Sequence, residues 1–284
     1  MLWTLSLLWG GSFLFNELAL AGLPVMTVVW GRVSLAAAIL WVVMLARGTQ
    51  FPAREIWPAL VVMGLLNNAV PFTLFVLAQG QITGALASVL NAMTPIFTLL
   101  VAHFATSDEK LTVARTVGVA LGFAGVLAML ADGGMQGTRW ALIGCLGAAL
   151  SYGLASVWGR RFRAAGLTPL ATAYGQLMAS TLLLTPVWLV ADRPWSLHWP
   201  GWEPVLAVIA LASLSSALAY LIFFRILAQA GATAVSLVTF LIPISAAGLG
   251  WLVLGERLEM RQLLGLALIL AGLAVIDGRL LRRR

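Results

Sequence analysis

Residues 22–31 read Gly-Leu-Pro-Val-Met-Thr-Val-Val-Trp-Gly, and residues 166–175 read Gly-Leu-Thr-Pro-Leu-Ala-Thr-Ala-Tyr-Gly. The second stretch follows the first by about 145 residues, roughly half of the 284-residue chain. Four further matches keep the same order at offsets of about 145–148 residues: Leu66-Asn67-Asn68-Ala69 over Leu214-Ser215-Ser216-Ala217, Gly84-Ala85 over Gly231-Ala232, Glu109-Lys110-Leu111 over Glu256-Arg257-Leu258, and Gly118 with Gly125 over Gly265 with Gly272. The sequence therefore predicts two related halves, residues 1–135 and 136–284.

The composition of the chain excludes a soluble domain. Hydrophobic residues make up 61% of it and charged residues 10%, whereas soluble domains have roughly 45–50% apolar and about 25% charged residues. Intrinsic disorder is excluded as well, because it requires low hydrophobicity and many charges. A polytopic membrane protein is the class that remains.

Apolar runs of membrane-spanning length predict an all-α protein with ten transmembrane helices. A helix needs about 20 apolar residues to cross the hydrocarbon core of a bilayer. Two of the breaks, near 79–83 and 228–231, are short, so a count of nine or eight stays open. The ten predicted spans are 2–20, 24–45, 57–78, 82–103, 112–130, 138–158, 168–190, 204–227, 231–253 and 260–277.

Each predicted half holds five spans, and an odd number forces the second half to enter the membrane upside down. Such inverted repeats are typical of secondary transporters, in which the substrate site lies near the midplane where the repeats meet. Exchange of conformation between the two halves would open the site to alternate sides of the membrane. The pattern thus indicates alternating access.

The formal net charge of +7 reflects 17 Lys and Arg residues against 10 Asp and Glu residues. The basic residues sit in short loops and at the C-terminal tail, so the positive-inside rule explains them and nucleic-acid binding does not. If the N-terminus lies in the cytoplasm, twelve of the 17 Lys and Arg residues lie at the cytoplasmic ends of the spans or in cytoplasmic loops. They are Arg47, Arg54, Lys110, Arg115, Arg160, Arg161, Arg163, Arg225, Arg279, Arg282, Arg283 and Arg284. We expect a multi-pass protein of a bacterial inner membrane with both termini in the cytoplasm.

Polar residues deep in the predicted spans are the candidates for substrate binding, because such residues are costly unless they face protein or a watery cavity. Amide and hydroxyl groups can hold a neutral or zwitterionic solute without a fixed countercharge, and aromatic rings can pack its side chain. For a single Ser or Thr, bonding between or within helices is the stronger interpretation. The candidate set is Asn67, Asn68, Ser88, Asn91, Trp9, Tyr152, Trp158, Ser215, Ser216, Tyr220, Ser236 and Thr239.

Prolines and two charged residues complete the features of the predicted spans. Pro71, Pro95 and Pro243 are candidate hinges, because proline removes a backbone hydrogen bond that neighbouring helices must replace. We expect Glu17 and Arg32 to form a partly buried ion pair, which would lower the cost of both charges. The alternative for this pair is a protonatable site for proton coupling.

The ordered motifs resemble those of the EamA family in the drug/metabolite transporter superfamily. Residues 9–13, Trp-Gly-Gly-Ser-Phe, resemble the opening pattern of that family, and Trp30-Gly31-Arg32 resembles its basic position in the second helix. The segments around Pro95 and Pro243, each followed by a glutamate and a glycine-rich helix, resemble its repeat feature. The resemblance implies export of small solutes, with the amino-acid exporters, including the YddG-type aromatic branch, as the most similar group. We also expect a monomer whose partners are the small-molecule substrate and the lipid bilayer.

Two other function classes are weighed against a transporter. An intramembrane enzyme would need paired carboxylates or a His–Asp arrangement in the bilayer, and the carboxylates here lie mostly in loops. A channel would need a ring of like groups along one pore. No phosphate-binding Gly-x-x-x-x-Gly-Lys loop occurs, which excludes ATP drive within the chain. The single cysteine, Cys145, cannot build a thiolate metal site, and neither a metal nor a cofactor is expected.

Overall fold

The structure is a computed structural model that describes residues 1–107, 110–130 and 136–277, without the side chains at 130, 136–137, 227–228 and 230–236. The described chain is helical, and it contains ten helical spans in the predicted order. They are span 1 (Leu2–Leu20), span 2 (Val25–Ala46), span 3 (Arg54–Gln79), span 4 (Gly84–Ala105), span 5 (Val113–Leu130), span 6 (Gln136–Trp158), span 7 (Pro169–Ala191), span 8 (Trp202–Ile226), span 9 (Val238–Leu254) and span 10 (Met260–Asp277).

Among the described residues, seven helices are long and apolar enough to cross a membrane, and spans 5 and 9 are shorter apolar helices.

Threonine side chains cap the starts of two spans. The Thr83 hydroxyl accepts a hydrogen bond from the Leu86 N–H at the start of span 4, and Thr168 does the same for Ala171 at the start of span 7. Such caps satisfy backbone donors that a helix leaves unpaired in its first turn.

The predicted break near residues 228–231 is wrong. The last helix of span 8 begins at Ala219 and continues past Ile226 to Ser236, and the break falls at Leu237 instead. The segment Ala228-Gln229-Ala230 is followed by Gly231 and Ala232 and contains no proline. Alanine is the strongest helix former, so a single glycine among alanines need not end a helix.

The contacts between spans show the same pattern in both halves. When each span is replaced by its counterpart in the other half, the result is again an observed contact. Span 2 packs on span 7 and span 5 on span 10, while span 1 packs on span 9 as span 6 packs on span 4. Likewise span 3 contacts span 7 as span 8 contacts span 2. Every one of these contacts therefore has a counterpart at the matching place in the other half.

The pair of spans 5 and 10 is held by glycine contacts. A Cβ atom added at Gly118 would lie 2.5 Å from the Gly272 carbonyl oxygen, and one added at Gly125 would lie 2.6 Å from that of Gly265. The backbones of the two helices therefore touch directly, as small residues permit in membranes.

Two hydrophobic cores share Tyr152. One core gathers buried side chains of spans 1, 3, 4, 5, 6, 8, 9 and 10, and the other gathers buried side chains of spans 1, 2, 3, 7 and 8. Tyr152 in span 6 packs against both and stacks on Phe75 at 6.2 Å between ring centroids. The polar residues described next lie where these cores approach each other.

Candidate functional site

Spans 3 and 8 each change to wide π-helical turns at matching places. In span 3 the π-helical segment is Leu65–Ala69, and in span 8 it is Leu211–Leu218. These segments contain the Asn67-Asn68 pair and its counterpart Ser215-Ser216. π-Helical turns in α-helices are rare and occur frequently at functional sites. The sequence signal for the first turn is Pro71 just beyond it, whereas the second turn has no proline to announce it.

Tyr220 joins the two asparagines across the interface between spans 3 and 8. Its hydroxyl accepts a hydrogen bond from Asn67 Nδ2 at 3.1 Å and donates one to Asn68 Oδ1 at 3.2 Å. Both Asn67 and Tyr220 are partly exposed, whereas Asn68 is fully buried. The structure thus brings together three of the residues predicted to bind substrate.

Span 7 supplies two polar residues that the sequence analysis did not select. Gln176 Oε1 accepts from Asn67 Nδ2 at 3.0 Å, and the Ser180 hydroxyl accepts from Asn68 Nδ2 at 3.1 Å. Both are buried, at 2% and 0% exposure. The available signal was their spacing of four residues, which places both on one face of span 7.

Arg32 in span 2 lies against span 8. Its Nε donates to the Ser216 hydroxyl at 3.0 Å, and its guanidinium carbon lies 3.7 Å from the centre of the Phe72 ring. The side chain is only 6% exposed.

The predicted ion pair between Glu17 and Arg32 is wrong. Glu17 instead accepts a hydrogen bond from the Gly84 N–H at 2.5 Å, at the start of span 4. Glu256 accepts from the same Gly84 N–H and from the Ala85 N–H, each at 3.2 Å. Unpaired N–H groups at a helix N-terminus attract carboxylates, so span 4 offered Glu17 a partner closer than Arg32.

A cavity of about 650 Å³ opens on the face of the molecule that carries Met1. Its polar lining includes Arg47, Thr168 and Arg225. The lining also includes Tyr220 and Leu40. The lining between them is mostly apolar, with Leu170, Leu221, Ile222 and Phe224. This cavity therefore reaches the Asn67–Asn68–Tyr220 network from one side of the membrane.

A smaller cavity of about 470 Å³ lies on the opposite face, where span 1 ends and span 4 begins. Its lining includes Glu17, Gln79 and Thr83. Gln79 donates to the Phe13 carbonyl and accepts from Asn16 Nδ2, both at 2.8 Å. Together with the two glutamates on Gly84, these bonds link the ends of spans 1 and 3 to the start of span 4 on this face.

The predicted candidates of span 4 lie away from the network. The Ser88 hydroxyl is fully buried and donates to the Ala85 carbonyl of its own helix at 2.6 Å. Asn91 accepts from the Thr94 hydroxyl at 3.3 Å. In span 9, Thr239 is partly buried, and the side chain of Ser236 lies outside the described residues. Ser236 ends the helix before Leu237, and Thr239 lies in the first turn of span 9.

The predicted tryptophans have packing partners. Trp9 contacts Phe223 with ring centroids 5.6 Å apart. Trp158 donates from its indole nitrogen to the Ala59 carbonyl at 3.0 Å, and the Arg161 guanidinium lies over its ring. Neither contact tests a role in binding, which stays a prediction for both.

The three prolines occupy different positions within their spans. Pro71 follows the π-helical turn of span 3, and Pro95 follows a break at Ala92 and Met93 that divides span 4 into Gly84–Asn91 and Thr94–Ala105. Pro243 lies inside the continuous helix of span 9. The structure places two of the three beside an interruption, and their role as hinges stays a prediction.

Comparison with known proteins agrees with this arrangement. The chain is 26% identical to the uncharacterized transporter YvbV of Bacillus subtilis, over 97% of this chain and 90% of that protein. It is 27% identical to the uncharacterized inner membrane transporter YedA of Escherichia coli K12, over 97% of this chain and 89% of that protein. A solved crystal structure has the same fold, with a TM-score of 0.69 and 22% sequence identity. The match covers 99% of this chain and 96% of the chain in that structure.

The family model of EamA-like transporters matches residues 1–131 and again residues 139–277. Nearly all of the chain is covered by these two matches. The protein is therefore a multi-pass membrane transporter that belongs to the EamA-like transporter family.

Proposed function

We propose that this transporter exports small neutral or zwitterionic metabolites, amino acids foremost, by alternating access through the cavity that ends at Tyr220. The observation that carries the proposal is the uncharged network of Asn67, Asn68, Gln176 and Tyr220 at the inner end of an apolar-walled cavity. Amide and hydroxyl groups donate and accept hydrogen bonds, so they can match both the ammonium and the carboxylate of a zwitterion. Apolar walls favour a solute that also carries a hydrocarbon side chain.

Alternating access is supported by the packing of the two halves, which we take as residues 1–135 and 136–284. The contacts between the halves described above each have a counterpart when the halves are exchanged. An exchange of conformation between the halves would close the Met1 face and open the face that carries Glu17 and Gly84. The glutamate contacts to Gly84 would then have to break.

The direction of transport depends on which face lies in the cytoplasm. We propose that the Met1 face does, because Arg47, Arg160, Arg161 and Arg225 belong to that face or its flanks and positive loops stay inside. The membrane is then the bacterial inner membrane, and the chain acts as a monomer. Membrane-impermeant labelling of single cysteines at Gly48 and Gly22, in the Cys145→Ala background, tests this orientation. Labelling of Gly48→Cys from outside intact cells would refute it.

The proposed function is tested with purified protein in liposomes. We expect counterflow of radiolabelled leucine that saturates with concentration and needs no ATP. Flux that rises in strict proportion to concentration would point to a channel instead. Absence of flux for every amino acid, combined with uptake of a nucleobase or a drug, would replace the amino acids by that solute class. Absence of flux for all three classes would refute the proposal.

A further inference from the structure

Arg32 is a buried cation with unused hydrogen-bond donors. A guanidinium carries five N–H groups, and only Nε has a hydrogen-bond partner in the described structure, the Ser216 hydroxyl. Neither terminal nitrogen bonds a described residue, and the guanidinium forms no ion pair with a described carboxylate. Taking a charge out of water costs several kcal/mol unless another group compensates it, so an anion bound at the terminal nitrogens would offset this cost.

The surroundings of Arg32 would hold a planar anion in one orientation. Phe72 covers one face of the guanidinium at 3.7 Å, and Ser216 fixes its Nε edge. The two terminal nitrogens are thereby left for a ligand, in the fork geometry that matches a carboxylate. Next to Ser216, the Ser215 hydroxyl is buried and has no hydrogen-bond partner in the described structure, so a second polar group of the same π-helical turn is also unmatched.

The position of Arg32 relative to the cavity connects it to the proposed substrate path. Leu40, two helical turns away on span 2, lines the cavity of the Met1 face, as does Tyr220. Arg32 itself does not belong to the lining of that cavity. Its partner Ser216 lies four residues before Tyr220 on span 8, so Arg32 and the Tyr220 network meet neighbouring turns of the same span.

We propose that Arg32 binds the carboxylate of the transported solute after Tyr220 leaves its bonds to Asn67 and Asn68. The solute class is then a monocarboxylate with an uncharged or apolar remainder, which includes zwitterionic amino acids. This inference rests on the proposed function, because it concerns the same path. A single guanidinium would neutralise one negative charge, so doubly charged phosphates are poor ligands for this site.

A structural role is the competing explanation. Arg32 could hold spans 2, 3 and 8 together through Phe72 and Ser216 alone, with no contact to any solute. Such a role would affect all solutes alike, because it acts through the fold. A carboxylate contact would affect only solutes that carry the carboxylate. The experiment must therefore compare ligands that differ in this one group.

Binding of leucine and of leucinamide to the full-length protein in detergent, measured by displacement of radiolabelled leucine, provides that comparison. The test variant is Arg32→Gln, which places at this position the residue type found at the matching position, Gln176. Arg115→Gln is the matched control, because Arg115 is a partly exposed arginine at the start of span 5, whose guanidinium donates to the Lys110 carbonyl. We expect Arg32→Gln to weaken leucine binding by about tenfold or more, the usual range for a charge-assisted hydrogen-bonded pair. Leucinamide binding should stay within about twofold, and Arg115→Gln should change neither.

Equal weakening of leucine and leucinamide, or unchanged leucine binding, would overturn the inference. If Arg32→Gln does not fold, Arg32→Lys decides, because lysine keeps the charge but loses the two-pronged geometry. It should lower leucine affinity several-fold and leave leucinamide affinity unchanged, and equal effects would again overturn the inference. If the wild-type protein binds no amino acid but transports another solute, the proposed substrate fails first. The same variants are then compared with the acid and amide forms of that solute.

Discussion

The hydroxyl of Tyr220 is the clearest place to separate substrate binding from helix packing. Tyr220→Phe keeps the aromatic ring and its contact with Phe224, at 6.2 Å between ring centroids, and removes only the hydroxyl. Two interhelical hydrogen bonds disappear, those to Asn67 and Asn68. Such bonds contribute about 0.6 kcal/mol each in membrane proteins, so we expect the free energy of unfolding in mixed micelles to fall by roughly 1 kcal/mol.

If the hydroxyl also contacts the solute, transport should suffer beyond this loss of stability. One hydrogen bond to the substrate contributes about 0.5–1.5 kcal/mol, which corresponds to an increase in KM of about 2- to 13-fold. Ser180→Ala is the matched control, because Ser180 bonds Asn68 from a fully buried position. We expect this control to lose a similar amount of stability and to keep its KM. The same KM in Tyr220→Phe, Ser180→Ala and wild type would refute a substrate role for Tyr220.

Three further predictions concern packing, closure and bending. Gly272→Leu should lower the folded fraction on size exclusion, because a Cβ there would lie 3.0 Å from the Gly122 nitrogen and overpacking typically costs about 1–3 kcal/mol. Gly248→Ala should leave the folded fraction unchanged, because a Cβ there would have nothing within 4 Å. Equal folded fractions for the two variants would contradict the direct backbone contact. Glu256→Ala removes two bonds to the start of span 4 and should speed maleimide labelling of Thr83→Cys several-fold in the Cys145→Ala background; an unchanged rate would mean that Glu256 does not hold this face closed. Pro243→Ala, inside span 9, should lower kcat of transport with KM unchanged, and an equal loss of affinity and rate would speak against a hinge.

The spans themselves could be predicted from hydropathy because the membrane requirement is strict. An apolar run of sufficient length is nearly the whole condition for a helix in lipid. Predicted runs 24–45 and 168–190 correspond to Val25–Ala46 and Pro169–Ala191, with a shift of one residue at each end. The failure near 228–231 has the same origin, since hydropathy marks a short polar dip while helix propensity continues through the alanines.

The partners of the polar side chains could not be predicted in the same way. Spacing along one helix shows that Gln176 and Ser180 share a face, but not that span 3 offers Asn67 and Asn68 to them. The error at Glu17 shows the physical reason. An ion pair with Arg32 was the best partner visible along the sequence, whereas the N-terminus of span 4 became a partner only once the helices had packed. The π-helical turn of span 8 likewise follows from packing, because no proline forces it.

The two halves use the same packing with different chemistry, and this difference gives the substrate path a direction. Span 2 meets the π-helical turn of span 8 through a cation, Arg32 on Ser216, whereas span 7 meets the turn of span 3 through neutral amides, Gln176 on Asn67. If both halves offered a cation, a solute with one carboxylate would have two equivalent sites and no preferred orientation. If Arg32 binds the carboxylate as proposed, the wall of spans 2 and 8 would hold that group, and the amide oxygens of spans 3 and 7 would face the ammonium group. Replacement of Gln176 by arginine should therefore weaken zwitterion binding more than it weakens binding of a simple monocarboxylate, and competition between leucine and isocaproate would reveal the difference. Equal effects on both would mean that the two walls do not divide the ends of the solute between them.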